Sequence, residues 1–527
     1  MPAPIFALAG PAPKAGAVLA VLLAGWALVA GDPRRRALAM SGALVLAPVL
    51  LVADIWHSPQ LATVRHHPGA AAGAALLALA ALSALAALMA RRPTLLPLLA
   101  LAALPFRVPI QVGGTTSNLL VPLYLVVAAG SLAAIVPALR AGEVAAAPDG
   151  RPGAGERPAW SPGWLERLLA LSIVLYGMQA TYSSDFDKAL QQLAFFFVPF
   201  ALLFVLLAQV DWTPRLLRAC LGVVVGLALA FSAIGFVEYA TKHIFLNPKL
   251  IASNDLHTYF RVNSVFFDPN IYGRFLVIAM LAVAAVLLHA RRGRAVGAAA
   301  VVLAALWGGL VLTLSQSSLG ALLVGLATLA VLQWGARRTL LPALAVVAAG
   351  AALVLATPHT FGVNLHNVDA SSSGRSTLVR GGGNLFAARP LTGYGSGSFE
   401  REYALREHPA NPDATTASHT IPITVAAEQG AIGLLAYLAL LTAALARLLR
   451  GAAASPARSA LAAAFLALLF HTLVYAAFLE DPLTWTLLGI GTALAAAAQA
   501  AEPATSSPAL RAVARARSGA PAARAAR

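Results

Sequence analysis

Apolar runs of roughly 17–25 residues, the length that crosses a bilayer as a helix, recur along nearly the whole chain between short polar or proline-bearing stretches. Ala, Leu and Val dominate them, without the two-residue alternation of a half-buried strand, so they read as helices. They fall at about 14–31, 38–55, 70–90, 94–111, 118–139, 164–181, 189–209, 217–240, 272–290, 295–314, 319–334, 339–357, 420–446, 458–478 and 483–500. That is fifteen spans, or fourteen if the run at 94–111, interrupted by prolines, is not one. Helices satisfy their own backbone polar groups in lipid, so the predicted fold class is an all-α polytopic transmembrane helical bundle of about 12–15 spans. A large, partly helical loop separates the late spans, at 358–418.

Composition agrees. With 59% hydrophobic and 11% charged residues over 527 positions, a water-soluble core cannot hold the apolar side chains. The first run has one Lys before it and Arg34, Arg35 and Arg36 after it, the reverse of a signal peptide's flanks, so this span is expected to stay. The single Cys220 lies inside a predicted helix, which leaves no disulfide framework and no thiolate metal cluster.

A net charge of +16 would suggest nucleic acid in a soluble protein, but here the basic residues sort by side of the membrane. Alternate connections hold Arg34 to Arg36, Arg91 and Arg92, then Arg140, Arg151, Arg157 and Arg167, then Arg215 and Arg218. They continue with Arg291, Arg292 and Arg294, then Arg337 and Arg338, then Arg447, Arg450 and Arg458, and the tail. These are 24 of the 37 Lys and Arg. The bias predicts an outer amino terminus, a cytoplasmic carboxyl terminus and no nucleic-acid partner. The expected organisation is amino-terminal helices at 1–140, a cytoplasmic linker at 141–163, central helices at 164–357 with an outer loop at 241–271, an extracytoplasmic cap loop at 358–418, carboxyl-terminal helices at 419–500 and a basic tail at 501–527.

The informative segments all fall on the predicted outer side. The cap carries Arg375, Arg380, Arg389, Arg401 and Arg406 against the charge trend, which suggests an anionic ligand; the alternative is that they pair with Asp369, Glu400, Glu402, Glu407 and Asp413. Asp268-Pro269-Asn270 is a cap signature before an apolar helix, and Arg261 and Arg274 flank that helix mouth, a ready site for phosphate. Gly393, Gly395 and Gly397 permit positive φ and bare N–H groups that approach a ligand, or they form a plain surface turn. Pro422 is tolerated only in a first turn, so His419 sits at a helix amino terminus, a suitable place for a proton acceptor or for a satisfied surface imidazole. Glu428, nine residues on, lies well inside the membrane and must face protein or water.

The order of these pieces is more specific than any one of them. An arginine before an Asn-bearing helix start, Thr313-Leu-Ser-Gln-Ser-Ser318, an Arg-led amphipathic stretch ending Pro390-Leu-Thr-Gly-Tyr-Gly-Ser-Gly-Ser-Phe399, and His419-Thr-Ile-Pro followed by Glu428-Gln-Gly together resemble the O-antigen ligase/polymerase family over about 255–445. Pro105-Phe-Arg-Val-Pro-Ile110 and Leu120-Val-Pro-Leu-Tyr124 are similar to the amino-terminal half of bacterial members. The resemblance implies a glycosyltransferase of the bacterial plasma membrane, with its site on the extracytoplasmic face. It would move a glycan from undecaprenyl diphosphate to a glycan, lipid or protein acceptor with no metal and no cofactor. Residue by residue, Arg261 and Arg375 match the family's diphosphate-holding arginines and His419 its histidine, as base or as a positioning group; Arg380 is the second choice for phosphate. Asp268, Asn270, Arg274, Gly393, Gly395 and Glu428 are supporting candidates. Ser315-Gln316-Ser317 departs from the family's Ser-Arg-Gly, which removes a basic residue there. His359, His366 and His408 show no ligand spacing. A transporter or flippase, or a non-catalytic assembly component, is the rival reading; no convincing internal repeat supports transport.

Overall fold

A computed structural model describes residues 10–56, 61–112, 115–141, 161–245, 250–251, 254, 259–290, 292–356, 375–408, 420–475 and 477–501. The helices are α1 Pro11–Val29, α2 Pro33–Ile55, α3 Ala62–His66, α4 Pro68–Arg91, α5 Leu95–Ala103, α6 Val121–Ala141, α7 Trp164–Ala180, α8 Phe186–Gln192 and α9 Val198–Ala208. A π-helical turn at Leu193–Phe197 makes α8 and α9 continuous. Then come α10 Pro214–Thr241, α11 Pro269–His289, α12 Gly293–Leu312, α13 Gln316–Trp334 and α14 Ala336–Ala356. Two cap helices, α15 Arg375–Ala388 and α16 Phe399–Glu407, precede α17 Ile421–Leu449, α18 Pro456–Val474 and α19 Pro482–Ala501. Among the described residues, 12 helical segments are long and apolar enough to span a membrane, and the protein is a polytopic helical bundle. The runs predicted at 164–181 and 339–357 are α7 and α14.

The fourth predicted span is the one that changes form. Over 94–111 the chain makes only the nine-residue α5, about 13 Å long against a hydrocarbon core of about 30 Å. It then leaves the helix for an antiparallel hairpin, β1 Val108–Val112 with β2 Thr115–Leu119, in which Val108 pairs with Leu119. Pro105 and Pro109 remove the backbone donors that a continuous helix needs.

Five helices share one start signal, a polar cap followed by proline. Asp32, Thr213, Asp268, Ser455 and Asp481 each accept a backbone N–H from two or three residues ahead, before Pro33, Pro214, Pro269, Pro456 and Pro482. Each proline sits where its missing N–H has no helical partner anyway.

Burial sorts the helices. All of α9 except Pro199 is buried, with Phe200, Leu203 and Phe204 fully enclosed, which explains its uniformly apolar sequence. Leu77 on α4, Val301 on α12 and Leu341 on α14 are 75%, 71% and 72% exposed, so these helices form the apolar perimeter. Two cores result. One joins α1, α2, α5–α7, α9 and α17–α19; the other joins α10–α13 with one face of α18. Because α18 belongs to both, its carboxyl-terminal end is the seam where residues from the two cores meet.

The cap is keyed to the bundle by its glycines. Gly430 interrupts α17 with φ 65° and ψ −163°, and a Cβ there would lie 2.3 Å from the Leu391 carbonyl carbon. Gly393 approaches the Glu428 backbone equally closely. In return the N–H groups of Tyr394, Gly395 and Ala431 bond across to Ala427, Glu428 and Pro390 carbonyls at 3.2, 2.8 and 2.7 Å. Gly430→Ala is expected to destabilise the detergent-purified protein by about 1–3 kcal/mol from backbone strain alone. An unchanged thermal midpoint contradicts this keying.

Candidate functional site

The seam holds a connected polar cluster at the cap end of the bundle. Arg274, one turn into α11, is buried and ion-paired with Asp481 at the start of α19. Its Nη2 lies 3.1 Å from His471 Nδ1 on α18. A guanidinium only donates, so Nδ1 accepts and the imidazole proton sits on Nε2. That Nε2 faces Ser317 Oγ at 3.2 Å and Ser318 Oγ at 3.3 Å, in the first turn of α13. Ser315 Oγ, the cap of α13, donates to Asn270 Oδ1 at 2.7 Å. Asp268 caps α11 through Asn270 N–H at 2.6 Å and accepts the Tyr475 hydroxyl at 2.7 Å. The amino termini of α11 and α13 therefore open beside the end of α18.

Three further arginines converge on this cluster. Arg261 donates from Nε to the Thr313 carbonyl at 3.0 Å, just before the α13 cap, and its backbone is clasped by Asn254 at 3.0 and 3.1 Å. Glu238 fixes this loop from below, accepting the N–H groups of Asn263 and Ser264 at 3.2 and 2.7 Å. Arg375, the first residue of α15 and half-buried, acts electrostatically on His471. Arg107, just past α5, acts on Asp481, Arg274, Tyr124 and Tyr475; burial lowers its pKa, which Asp481 partly offsets. The break of the fourth span after α5 thus brings an amino-terminal arginine to the carboxyl-terminal helices.

The Arg274 expectation is corrected by this geometry. Arg274 does not flank an open helix mouth but lies inside, at 3% exposure, holding Asp481 and His471. Gly393 and Gly395 likewise present no open face. Gly395 abuts Ser183, and the loop is stitched to α7 and its exit by Ser396 Oγ on the Tyr176 carbonyl at 2.9 Å and Ser183 Oγ on the Ser396 carbonyl at 2.8 Å. Glu428 faces protein, as its depth requires, accepting Gly397 and Phe399 N–H at 2.9 and 3.1 Å.

The five cap arginines divide. Arg406 pairs with Glu402 at 3.7 Å and lies over Tyr394, Arg389 stacks on the same ring at 4.4 Å, and Arg401 bonds the Ser184 carbonyl at 2.5 Å. Arg375 is half-buried and close enough to act electrostatically on His471, and Arg380 is exposed. His419 lies outside the described residues, as do His359 and His366. Its neighbour Thr420 donates from Oγ1 to the Leu473 carbonyl at 3.0 Å, so α17 begins against the end of α18, two residues from Tyr475. Beside that start, Glu428 and Glu480 line one small cavity with Tyr176, Thr424 and Tyr437. Burial pushes the Glu480 carboxyl above its usual range, with Asp481 adding to the effect. Among the described residues, no three His, Cys, Asp or Glu side chains are placed to share a metal ion.

Sequence reasoning missed Arg107, His471, Tyr475 and Asp481. A signal existed for His471, since an ionisable residue within an apolar span marks function or pairing. For Arg107 there was none beyond its place in the Pro105–Ile110 segment.

No curated protein matches the chain. Residues 299–438 match the family model described as O-antigen ligase. This segment carries the serines of α13, Arg375, the glycine loop, His419 and Glu428, while Arg261, Arg274 and His471 lie outside it. Residues 299–438, within a bundle of membrane-spanning helices, are thus similar to the O-antigen ligase family.

Proposed function

We propose that the protein is a glycosyltransferase of the bacterial plasma membrane that takes a glycan from an undecaprenyl diphosphate carrier and joins it to an acceptor hydroxyl on the extracytoplasmic face. The observation that carries this reading is the convergence of Arg375 and Arg261 on the α11 and α13 amino termini, with the start of α17 alongside. Two guanidiniums and two helix amino termini form an anion site of the kind a diphosphate needs. Arg261 keeps four further N–H donors after its Nε bond to Thr313. Arg107, held at the same cluster, replaces the basic residue missing from Ser315-Gln316-Ser317.

In the reaction, the acceptor oxygen attacks the anomeric carbon as its bond to the diphosphate oxygen breaks. The diphosphate leaves with the bonding pair, stabilised by Arg261 and Arg375, and the anomeric configuration inverts. The hydroxyl proton goes to His419. Arg274, His471 and Asp481 act as positioning residues that fix the helix ends around the anion. The long perimeter of lipid-facing helices suits a donor that is itself a membrane lipid.

Reconstitution with a polyprenyl-diphosphate glycan and three acceptors, a lipid, a second glycan unit and a peptide, tests the reading and separates ligation from polymerisation by product. His419→Ala is expected to slow transfer by about 10²–10⁴-fold, the usual worth of a general base. Full transfer by that variant removes His419 as the base. Donor flux without transfer indicates transport instead.

A further inference from the structure

We propose that the bundle end opposite the cap holds a binding site for the headgroup of an anionic phospholipid, built from Arg447, Arg450 and Arg458. They line a cleft of about 820 Å3 between the start of α7, the end of α17, the start of α18 and the end of α19. That volume falls within the roughly 300–1,000 Å3 of pockets that enclose small ligands.

Arginines that only set orientation stand in solvent, whereas Arg447 and Arg458 are held by the fold. Arg447 is 21% exposed and lies 3.5 Å from Glu166, whose carboxylate also accepts Gly163 N–H at 2.7 Å. Arg458 folds back to donate to the Arg450 carbonyl, over Gly451, which turns the chain at φ 66°. Arg450 is exposed at the rim. Among the described residues, the cleft lining holds these three guanidiniums and no carboxylate; Glu166, behind Arg447, offsets one of them. A phosphodiester placed there meets a net positive surface.

The walls decide between a lipid and a soluble anion. Leu165, Leu168, Ala443, Ala446, Ala495 and Ala498 make the sides apolar. Trp164, 72% exposed with Arg167 stacked on it at 5.7 Å, stands at the mouth as an interfacial aromatic. A free phosphate uses none of that apolar wall; glycerol and the first methylenes of acyl chains use all of it. Basic pockets between membrane helices are suited to such headgroups.

The test titrates the delipidated full-length protein in detergent with phosphatidylglycerol, phosphatidylcholine or inorganic phosphate, following the thermal midpoint and bound lipid by native mass spectrometry. Saturable binding of phosphatidylglycerol is expected, well above that of phosphatidylcholine. Arg450→Gln weakens it roughly fivefold, and Arg450→Gln with Arg458→Gln roughly 25-fold. Arg447 is kept because it pairs with Glu166. Arg450→Gln alone changes an exposed side chain, so it remains readable if the double variant loses stability. Equal affinity for the two lipids, or undiminished phosphatidylglycerol binding in Arg450→Gln, overturns the proposal. A response reproduced by inorganic phosphate alone assigns the cleft to a soluble anion and overturns it equally.

Discussion

Replacing Arg375 or Arg261 by Ala is expected to lower glycan transfer by about 10²–10³-fold, the loss typical of removing one donor to a developing anion in a preorganised site. The protein should remain in the membrane with an unchanged thermal midpoint, because Arg375 caps no core and Arg261 contributes one side-chain bond, to the Thr313 carbonyl. Lysine at either position should recover only part of the rate, since it keeps the charge and loses the bidentate fork. Arg380 and Arg389 are the internal comparisons. Arg380 lies five residues after Arg375, roughly 140° around α15, and cannot share its face. Arg389 is already stacked on Tyr394. Alanine at either should leave transfer within a few-fold of wild type; a collapse at Arg380 with full activity at Arg375 would reassign the phosphate ligand.

Removing Arg274 should produce a different failure. Arg274→Ala leaves the Asp481 carboxylate buried without its partner, and breaking such a pair costs about 3–5 kcal/mol. Because α18 belongs to both cores and Asp481 also caps α19, the loss should appear as a lowered thermal midpoint before any assay of activity. Arg274→Leu with Asp481→Leu removes both charges and should regain part of the stability, because no orphaned charge remains. A midpoint unaffected by Arg274→Ala would show that the pair does not hold the seam. Activity should stay low in the double variant, since His471 loses the donor that fixes its Nε2 proton toward Ser317 and Ser318.

Much of this was legible in the sequence because lipid imposes a simple rule. Apolar runs of spanning length can only be helices, and the polar-cap-plus-proline starts mark their ends directly. The run at 94–111 misled because hydropathy does not register a lost N–H; Pro105 and Pro109 end the helix while the chain stays apolar. At the site, Arg261, Arg375 and Asn270 stood out through their order along the chain; Asn270 accepts from Ser315 at the α13 cap and Arg261 bonds Thr313 just before it. Arg274 read as a supporting residue that flanks the α11 mouth together with Arg261. Only its partner Asp481, 207 residues away, decides that it is buried and structural. The glycine loop was open to two readings for a related reason: its positive φ values were readable, but not that Gly393 packs on the α17 backbone at Glu428, Gly395 on Ser183 and Gly397 on Ala189. Long-range pairing of this kind leaves no local mark.

The central claim is that a lipid-linked diphosphate binds where Arg375 and Arg261 meet the ends of α11, α13 and α18. The most direct measurement is equilibrium binding of a polyprenyl diphosphate, with no acceptor present, to the full-length protein in nanodiscs. Wild type should bind saturably, Arg375→Ala and Arg261→Ala should each weaken binding at least about tenfold, as expected for a charge-assisted bidentate contact, and Arg389→Ala should bind as wild type does. Equal affinity in wild type, Arg375→Ala and Arg261→Ala would contradict the account.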